Sequence, residues 1–300
     1  MERAFVALAH GEVFLPLRPM IRPPDASSLL ALMPTFRAGT RPLYGLKAIA
    51  VVSDNPARGL DPHQGTVSLF DGVTGETLAV LNGAVITAIR TAAVSALATH
   101  LLAREESRIL AVVGAGHQAE AHLTALPRVR PFEEIRIASR THAHAVALAE
   151  RHPLARAVES VETAVRGADV IATVTSSSEP VISREWMASG THINAVGSSF
   201  ATKRELDSGT MAAATLVVDR RESAENESGD YLIALNEGAI GPDHIRAELG
   251  DVLIGSHPGR TSDVEITVFK SLGLAIQDLY AAEYVFERAR ETGRGTSIDF

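Results

Sequence analysis

After Leu32 the stretch up to residue 82 has no helix-length periodicity; short apolar runs alternate with turn residues. Residues 44–52 (YGLKAIAVV), 65–70 (GTVSLF) and 77–81 (TLAVL) read as strands, with DGVTGE between the last two as a hairpin turn. A mostly antiparallel sheet is expected there. From Thr87 the pattern becomes helical, TAIRTAAVSALATHLLARE, with Ala88, Ala92, Ser95, Ala96 and Thr99 forming a small-residue face. From 109 to about 219 strand-like and helix-like runs alternate, which predicts a parallel sheet with right-handed crossovers and helices on both faces. The charged run RRESAENESGD after Asp219 reads as the start of a surface helix or as a loop. In 265–290, Val268, Leu272, Ala275, Ile276, Leu279, Ala282, Val285 and Phe286 share one face, predicting a single long amphipathic helix. Such a helix is too long and apolar for the alternating domain and is assigned back to the N-terminal sheet. The fold class expected is therefore α/β: a Rossmann-type parallel-sheet domain over 106–265, plus a discontinuous α+β domain built from 1–105 and 266–300.

The stretch ILAVVGAGHQAEAHLTAL, 109–126, puts Gly114 and Gly116 at the turn from an apolar run of buried-strand length into a helical pattern. Glycines there let the backbone turn tightly and approach a diphosphate, whose charge is met by free N–H groups and the helix dipole. Ala119 replaces the third glycine of the usual GxGxxG pattern and is still small enough for close helix–sheet packing. The candidate cofactor residues are Gly114, Gly116, His117, Gln118 and Ala119. A lone glycine motif also marks a plain structural turn; the strand before it and the helix after it favour the ligand.

An NAD site usually carries Asp or Glu at the end of the next strand, about 20 residues beyond the glycines. Here the strand 134–139 ends in Ser139-Arg140-Thr141. An acid is absent and an arginine stands where a 2′-phosphate would lie, with two hydroxyls beside it. NADP(H) is the preferred cofactor on this reading and NAD(H) the second choice, while a solvated loop arginine is the plain alternative. Ligands of parallel sheets lie at the carboxyl ends of strands. That adds Thr175, Val196, Gly197 and Ser198 as candidates on the nicotinamide side, although small residues also suit ordinary strand-to-helix loops.

Composition narrows the classes. With 300 residues and 46% hydrophobic content the chain can bury a substantial core. A net charge of −8 argues against general nucleic-acid or anionic-membrane binding. There is no cysteine, hence no disulfide framework, thiol nucleophile or thiolate-bound metal, and no metal site is apparent. The N-terminal apolar run is too short for a signal peptide, and no uninterrupted apolar segment approaches the ~18 residues needed to span a bilayer, so a cytoplasmic protein is expected.

Three cations occupy unfavourable places. Lys47 interrupts a strand of Leu46, Ala48, Ile49, Ala50 and Val51; it is either buried and paired, or solvent-facing on an edge strand. Arg90 falls in the opening of the helix predicted from Thr87, where the dipole disfavours a cation unless an anion binds there, and Thr91 adds a hydroxyl, so both are also candidate cofactor-binding residues. Arg18 lies between prolines in FLPLRPMIRPP, where it is either solvated or a ligand for an anion, and Arg22 competes with it. Two arginines and a lysine around one pocket suit a small carboxylate.

The segments TGETLAVLNGAVITAIRTAAVSALA, VVGAGHQAEAHL, GADVIATVTSSSEPVI, EWMASGTHINAVGSSFATKREL and ITVFKSLGLAIQDL together resemble the ornithine cyclodeaminase and mu-crystallin family of NAD(P)-dependent enzymes. The resemblance implies a Rossmann domain, a discontinuous substrate and dimerisation domain, and a homodimer. It also implies that Arg18 and Arg90 bind the substrate carboxylate, that Lys47 is the strand lysine of the site, and that His63 with Gln64 lies near the nicotinamide. Cyclodeaminases and related alanine dehydrogenases carry an Asp as general acid/base after the INAxG strand; this chain has Ser199, as mu-crystallin-like ketimine reductases and Δ1-pyrroline-2-carboxylate reductases do. A serine is a poor base for oxidising an amine, whereas reducing a preformed imine needs only a proton donor at nitrogen. The resemblance thus implies an NAD(P)H-dependent ketimine reductase acting on a small cyclic imino acid, with Lys47 and Ser199 as candidate catalytic groups. The alternatives are an ornithine cyclodeaminase or amino-acid dehydrogenase, which Ser199 disfavours, and a non-catalytic NADPH-binding protein.

Overall fold

The computed structural model describes residues 1–52, 54–60 and 63–298. They form two compact units, one running from Met1 to Arg90 and resuming at Leu274, the other spanning Thr91–Gly273.

The first unit begins with helix α1 (Glu2–Ala9) and continues into strands β1 (Val13–Phe14), β2 (Met20–Ile21), β3 (Ser28–Arg37), β4 (Leu43–Val52), β5 (His63–Asp71) and β6 (Thr77–Asn82). The sheet is antiparallel in the order β1-β3-β4-β5-β6, with β2 also pairing β3. The DGVTGE turn stands where the sequence puts it, Asp71 accepting from the amides of Val73 and Thr74. Strand β3 lies before Tyr44, where the sequence pattern singles out no strand. Its side chains alternate, Leu29, Ala31, Met33, Thr35 and Arg37 being buried. Pro34 hides it in the sequence. Proline lacks an N–H, yet Pro34 pairs with Leu46 on one side only, because β2 pairs at Met20–Ile21 with Ala31 and Leu30, and β1 at Phe36 and Arg37.

Helix α2 (Gly83–Leu102) starts four residues before the expected Thr87 and runs through the division between the units. Among the described residues it is the one helix long and apolar enough to cross a membrane, and its Ala92, Val94, Ala98 and Leu102 are core residues.

The second unit follows with β7 (Ile109–Val113), α3 (His117–Ala125), β8 (Glu134–Ala138), α4 (His142–Ala149), β9 (Ala155–Ala157), α5 (Val161–Val165), β10 (Val170–Thr173) and β11 (His192–Ala195). Then come α6 (Ser208–Ala213), β12 (Ala214–Val218), α7 (Arg221–Glu227), α8 (Gly229–Asn236), β13 (Ile245–Glu248), α9 (Leu249–Leu253) and β14 (Ile266–Lys270). The sheet is parallel throughout, ordered β13-β12-β14-β11-β10-β7-β8-β9, with apolar clusters on both faces. Strands buried on both faces read as continuous apolar runs, which is what Ile109–Val113 is and what β10 is up to its terminal Thr173. The order reverses about β7, whose neighbours are β8 and β10, so the crevice for a ligand opens at their carboxyl ends.

Two expectations are corrected. The single helix over 265–290 is instead strand β14 followed by helix α10 (Ala275–Thr292). Ile266, Thr267, Val268 and Phe269 are β-branched or aromatic and fully enclosed between β11 and β12, and Gly273 at φ 82° ends the connection. The spacing of Val268 and Leu272 imitates a helix only by coincidence of two elements. The C-terminal limit of the parallel-sheet unit therefore moves from 265 to 273, and its start from 106 to 91 within α2. Second, RRESAENESGD is not a surface segment throughout: α7 and α8 bury Ser223, Ala224 and Asp230. Within the first unit α10 packs on β3, β4 and β5, and Gly45 lets Leu279 approach closely, since a Cβ there would lie 3.2 Å from it.

Candidate active site

In the parallel-sheet unit, β7 delivers the chain into Gly114, whose φ of 122° suits glycine. A Cβ on Gly114 would stand 2.9 Å from the Val174 carbonyl oxygen, so this glycine is needed both for conformation and for room. Gly116 differs. It is the N-cap of α3 with ordinary φ, it is exposed, and nothing lies within 4 Å of where its Cβ would be. No side chain caps α3, whose N-terminus stands at the exposed Gly116. Ala119 is fully buried, the small residue at the helix–sheet contact. The Gly114 amide donates to the Ala138 carbonyl at 2.9 Å, which ties this turn to the end of β8. There Ser139 is half-buried, and Arg140 and Thr141 are exposed before α4. These residues fit a dinucleotide: a glycine turn, a helix N-terminus without a side-chain cap for the diphosphate, and a cation at the adjacent strand end.

The ends of β10 and β11 are held by a residue the sequence reading passed over. Glu205 is fully buried and accepts from the Thr175 amide (2.6 Å), the Thr175 hydroxyl (2.7 Å), the Thr173 hydroxyl (2.9 Å) and the Gly197 amide (2.7 Å). The polar groups of Thr175 and Gly197 are thus engaged by a carboxylate inside the unit. Gly197 has no room for a side chain, a Cβ falling 2.1 Å from the Thr175 carbonyl oxygen. Behind Glu205 lies a second buried pair, Lys270 with Asp230 at 2.9 Å; Lys270 also donates to the Ser198 carbonyl at 2.5 Å, and Asp230 accepts from the amides of Glu205 and Leu206. Burial pushes the Glu205 carboxyl up, against the opposing charge of Lys270. Val196 and Ser198 are buried and Ser199 is half-buried, on the loop these charges fix; the Ser198 hydroxyl donates to the Lys203 carbonyl.

The antiparallel unit holds the cationic group. Lys47 shares the buried face of β4 with Leu43, Gly45 and Ile49 and is 3% exposed, which settles the choice between a buried and a solvent-facing lysine. Its ammonium pairs with Asp278 at 2.8 Å and donates to the Thr87 hydroxyl at 3.4 Å. Arg90 is buried on α2; its Nε donates to the other Asp278 oxygen at 3.0 Å and its Nη1 to the Gln277 side-chain oxygen at 2.6 Å. The expected place of Arg90 is corrected here. Because α2 begins at Gly83, Arg90 lies two turns inside the helix, and a carboxylate rather than the helix dipole sets its environment. Thr91 follows it and is also buried. The Lys47 pKa is lowered to about 8, by burial first and then by the positive charges of Arg90 and Arg18, against the opposing charge and hydrogen bond of Asp278. Arg18, half-buried, is therefore the arginine whose charge reaches Lys47, whereas Arg22 is exposed. His63 and Gln64 are exposed at the start of β5.

Asp278 and Gln277 were missed because the apolar stripe of α10 dominates its sequence. A signal was present: Asp278 lies four residues from both Leu274 and Ala282, so it falls on the buried face. Among the described residues, no cluster of three or more His, Cys, Asp or Glu is arranged to hold a metal ion.

Comparison with known proteins bears on this geometry. The model of the ornithine cyclodeaminase/mu-crystallin family matches residues 1–293. The chain belongs to this family. Within the ornithine cyclodeaminase/mu-crystallin family it is 39% identical over 291 residues to a Δ1-pyrroline-2-carboxylate reductase of Bacillus cereus, covering 95% of this chain and 89% of that one. It is 42% identical over 278 residues to the ketimine reductase mu-crystallin of Mus musculus, covering 92% of this chain and 86% of the relative. The structure of Thermococcus litoralis Δ1-pyrroline-2-carboxylate reductase in complex with NADH and L-proline superposes with a TM-score of 0.95 at 37% identity, over 99% of this chain and 93% of the other.

Proposed function

We propose that this chain is an NAD(P)H-dependent ketimine reductase that reduces the C=N bond of Δ1-pyrroline-2-carboxylate to L-proline, and of the six-membered Δ1-piperideine-2-carboxylate to L-pipecolate. The observation that carries this reading is the buried Lys47, with a pKa near 8, set among Arg18, Arg90 and Asp278. The names of the family relatives, and the NADH and L-proline bound to the Thermococcus litoralis enzyme, support it.

Reduction adds a hydride to C2 and a proton to nitrogen. The bound reduced nicotinamide supplies the hydride. Arg18 and Arg90 hold the substrate carboxylate, Arg90 by the part of its guanidinium that Asp278 and Gln277 do not use. Lys47 gives its proton to the imine nitrogen, and a pKa near working pH makes it an effective acid that regains the proton from solvent. Ser199 lacks the basicity needed to take a proton from an amino acid ammonium, which favours the reductive direction. Gly114, Gly116, His117, Gln118 and Ala119 hold the diphosphate. Ser139, Arg140 and Thr141 hold the adenosine 2′-phosphate, so NADPH is preferred and NADH is used. A homodimer is part of the proposal, supported by Val80, Val85 and Ile89, which are exposed on the edge strand β6 and the start of α2.

The test is to follow oxidation of NADPH and of NADH with Δ1-pyrroline-2-carboxylate, beside reduction of the oxidised cofactors with ornithine, proline and alanine. Rapid imine reduction with no reaction on ornithine is the expected result; proline and ammonia from ornithine would refute it. Replacing Arg140 by Asp should weaken NADPH binding at least tenfold with little effect on NADH, and equal losses for both would remove the cofactor preference.

A further inference from the structure

We infer that Asp278 is a positioning residue for the reaction, holding the Lys47 ammonium with one carboxylate oxygen and the Arg90 guanidinium with the other. The inference deepens the proposed ketimine reductase function and rests on it. Three elements meet at this carboxylate: β4 brings Lys47, α2 brings Arg90 and Thr87, and α10 brings Asp278 and Gln277. Asp278 is 1% exposed, and the charged groups facing Lys47 are Asp278, Arg90 and Arg18. Without an anion, three cations would share an enclosed space, and the one able to lose its proton, Lys47, would do so. Asp278 therefore has two effects. It keeps Lys47 protonated, ready to donate to nitrogen, and it fixes the rotation of the Arg90 fork, with Gln277 as the second stop. A carboxylate substrate then adds a second negative charge to the group, which reinforces protonation of Lys47 at the moment the acid is needed.

The experiment compares pH profiles of kcat and kcat/KM for Δ1-pyrroline-2-carboxylate with NADPH in the unsubstituted chain, Asp278→Asn and Asp278→Glu. NADPH affinity is measured separately by fluorescence. In the unsubstituted chain the rate should fall as pH rises through about 8. In Asp278→Asn that alkaline limb should move down by at least one pH unit, with kcat lowered more than tenfold, KM raised severalfold and NADPH affinity kept within twofold. Asp278→Glu keeps the charge but shifts it by a methylene, so its limb should stay in place while KM rises severalfold. A limb in Asp278→Asn that coincides with the unsubstituted one overturns the inference. So does an Asp278→Glu enzyme with unaltered KM and kcat, which decides the matter if the Asn variant does not fold. Absence of imine reduction by the unsubstituted chain would instead remove the functional reading and the inference together.

Discussion

Lys47 and its neighbours set the chemistry at the scale of single residues. A lysine enclosed in a sheet face loses several kcal/mol of hydration unless it is paired, and here one carboxylate serves both it and Arg90. Replacing Lys47 by Met removes the proton donor and leaves Asp278 paired with Arg90, so the fold should survive. The expected outcome is a fall in kcat/KM for Δ1-pyrroline-2-carboxylate of at least a hundredfold with NADPH affinity unchanged, measured by steady-state kinetics and fluorescence titration; near-normal turnover would reject the role. The same residues show what a sequence discloses. Lys47, Arg18 and Arg90 stand out because each is a cation in the wrong company, and the structure gathers all three into one unit. Asp278 and Glu205 do not stand out, since a single acid in a helix or a loop looks solvated until its partners, 188 and 30 residues away in the chain, are known.

Among the elements, the turn from β7 into α3 separates two glycines that the motif treats alike. Gly114 is fixed by its backbone angle and by Val174, whereas the Cβ space at Gly116 is open. Gly114→Ala should therefore lower the melting temperature and abolish NADPH binding. Gly116→Ala should keep the melting temperature and weaken NADPH binding more than tenfold, because only a ligand would meet the added methyl. Differential scanning fluorimetry with and without NADPH separates the two, and a stable Gly116→Ala protein with undiminished affinity would place the diphosphate elsewhere. Element type was legible wherever burial is two-sided or strictly alternating, as in β7 and β4. It failed where a connection joined two apolar elements in phase, as at β14 and α10, and where a proline sat in a gap of the ladder, as in β3.

At the scale of the molecule, buried titratable groups tie stability to acidity. His192 and His122 are fully buried in the parallel-sheet unit, with pKa values lowered by burial to about 3 and about 4. The unfolded chain takes up protons at these residues below about pH 6.5 and the folded chain does not, so stability falls as pH drops from there toward 4, by about 2 kcal/mol per histidine at pH 5. Asp219, raised to about 6 by burial, acts in the opposite sense, since the folded state binds the extra proton between pH 6 and 3.8; its gain is roughly 1 kcal/mol at pH 5. The net expectation is a lower melting temperature at pH 5 than at pH 7, and His192→Asn should narrow the gap. A gap that does not narrow would show that His192 is not the group titrating. Association is tested at the same scale. Val80→Lys combined with Ile89→Asp should convert a dimer to a monomer in light scattering, and an unchanged mass would put the interface on another face. The order of the parallel sheet also bears on how the protein is made. Strand β14 lies between β11 and β12 although it is the last of the sheet to leave the ribosome. Until Lys270 has been translated, two hydrophobic edges wait for a common neighbour, so a chain released early carries most of the sheet's residues with a gap inside it, prone to pair with another unfinished copy.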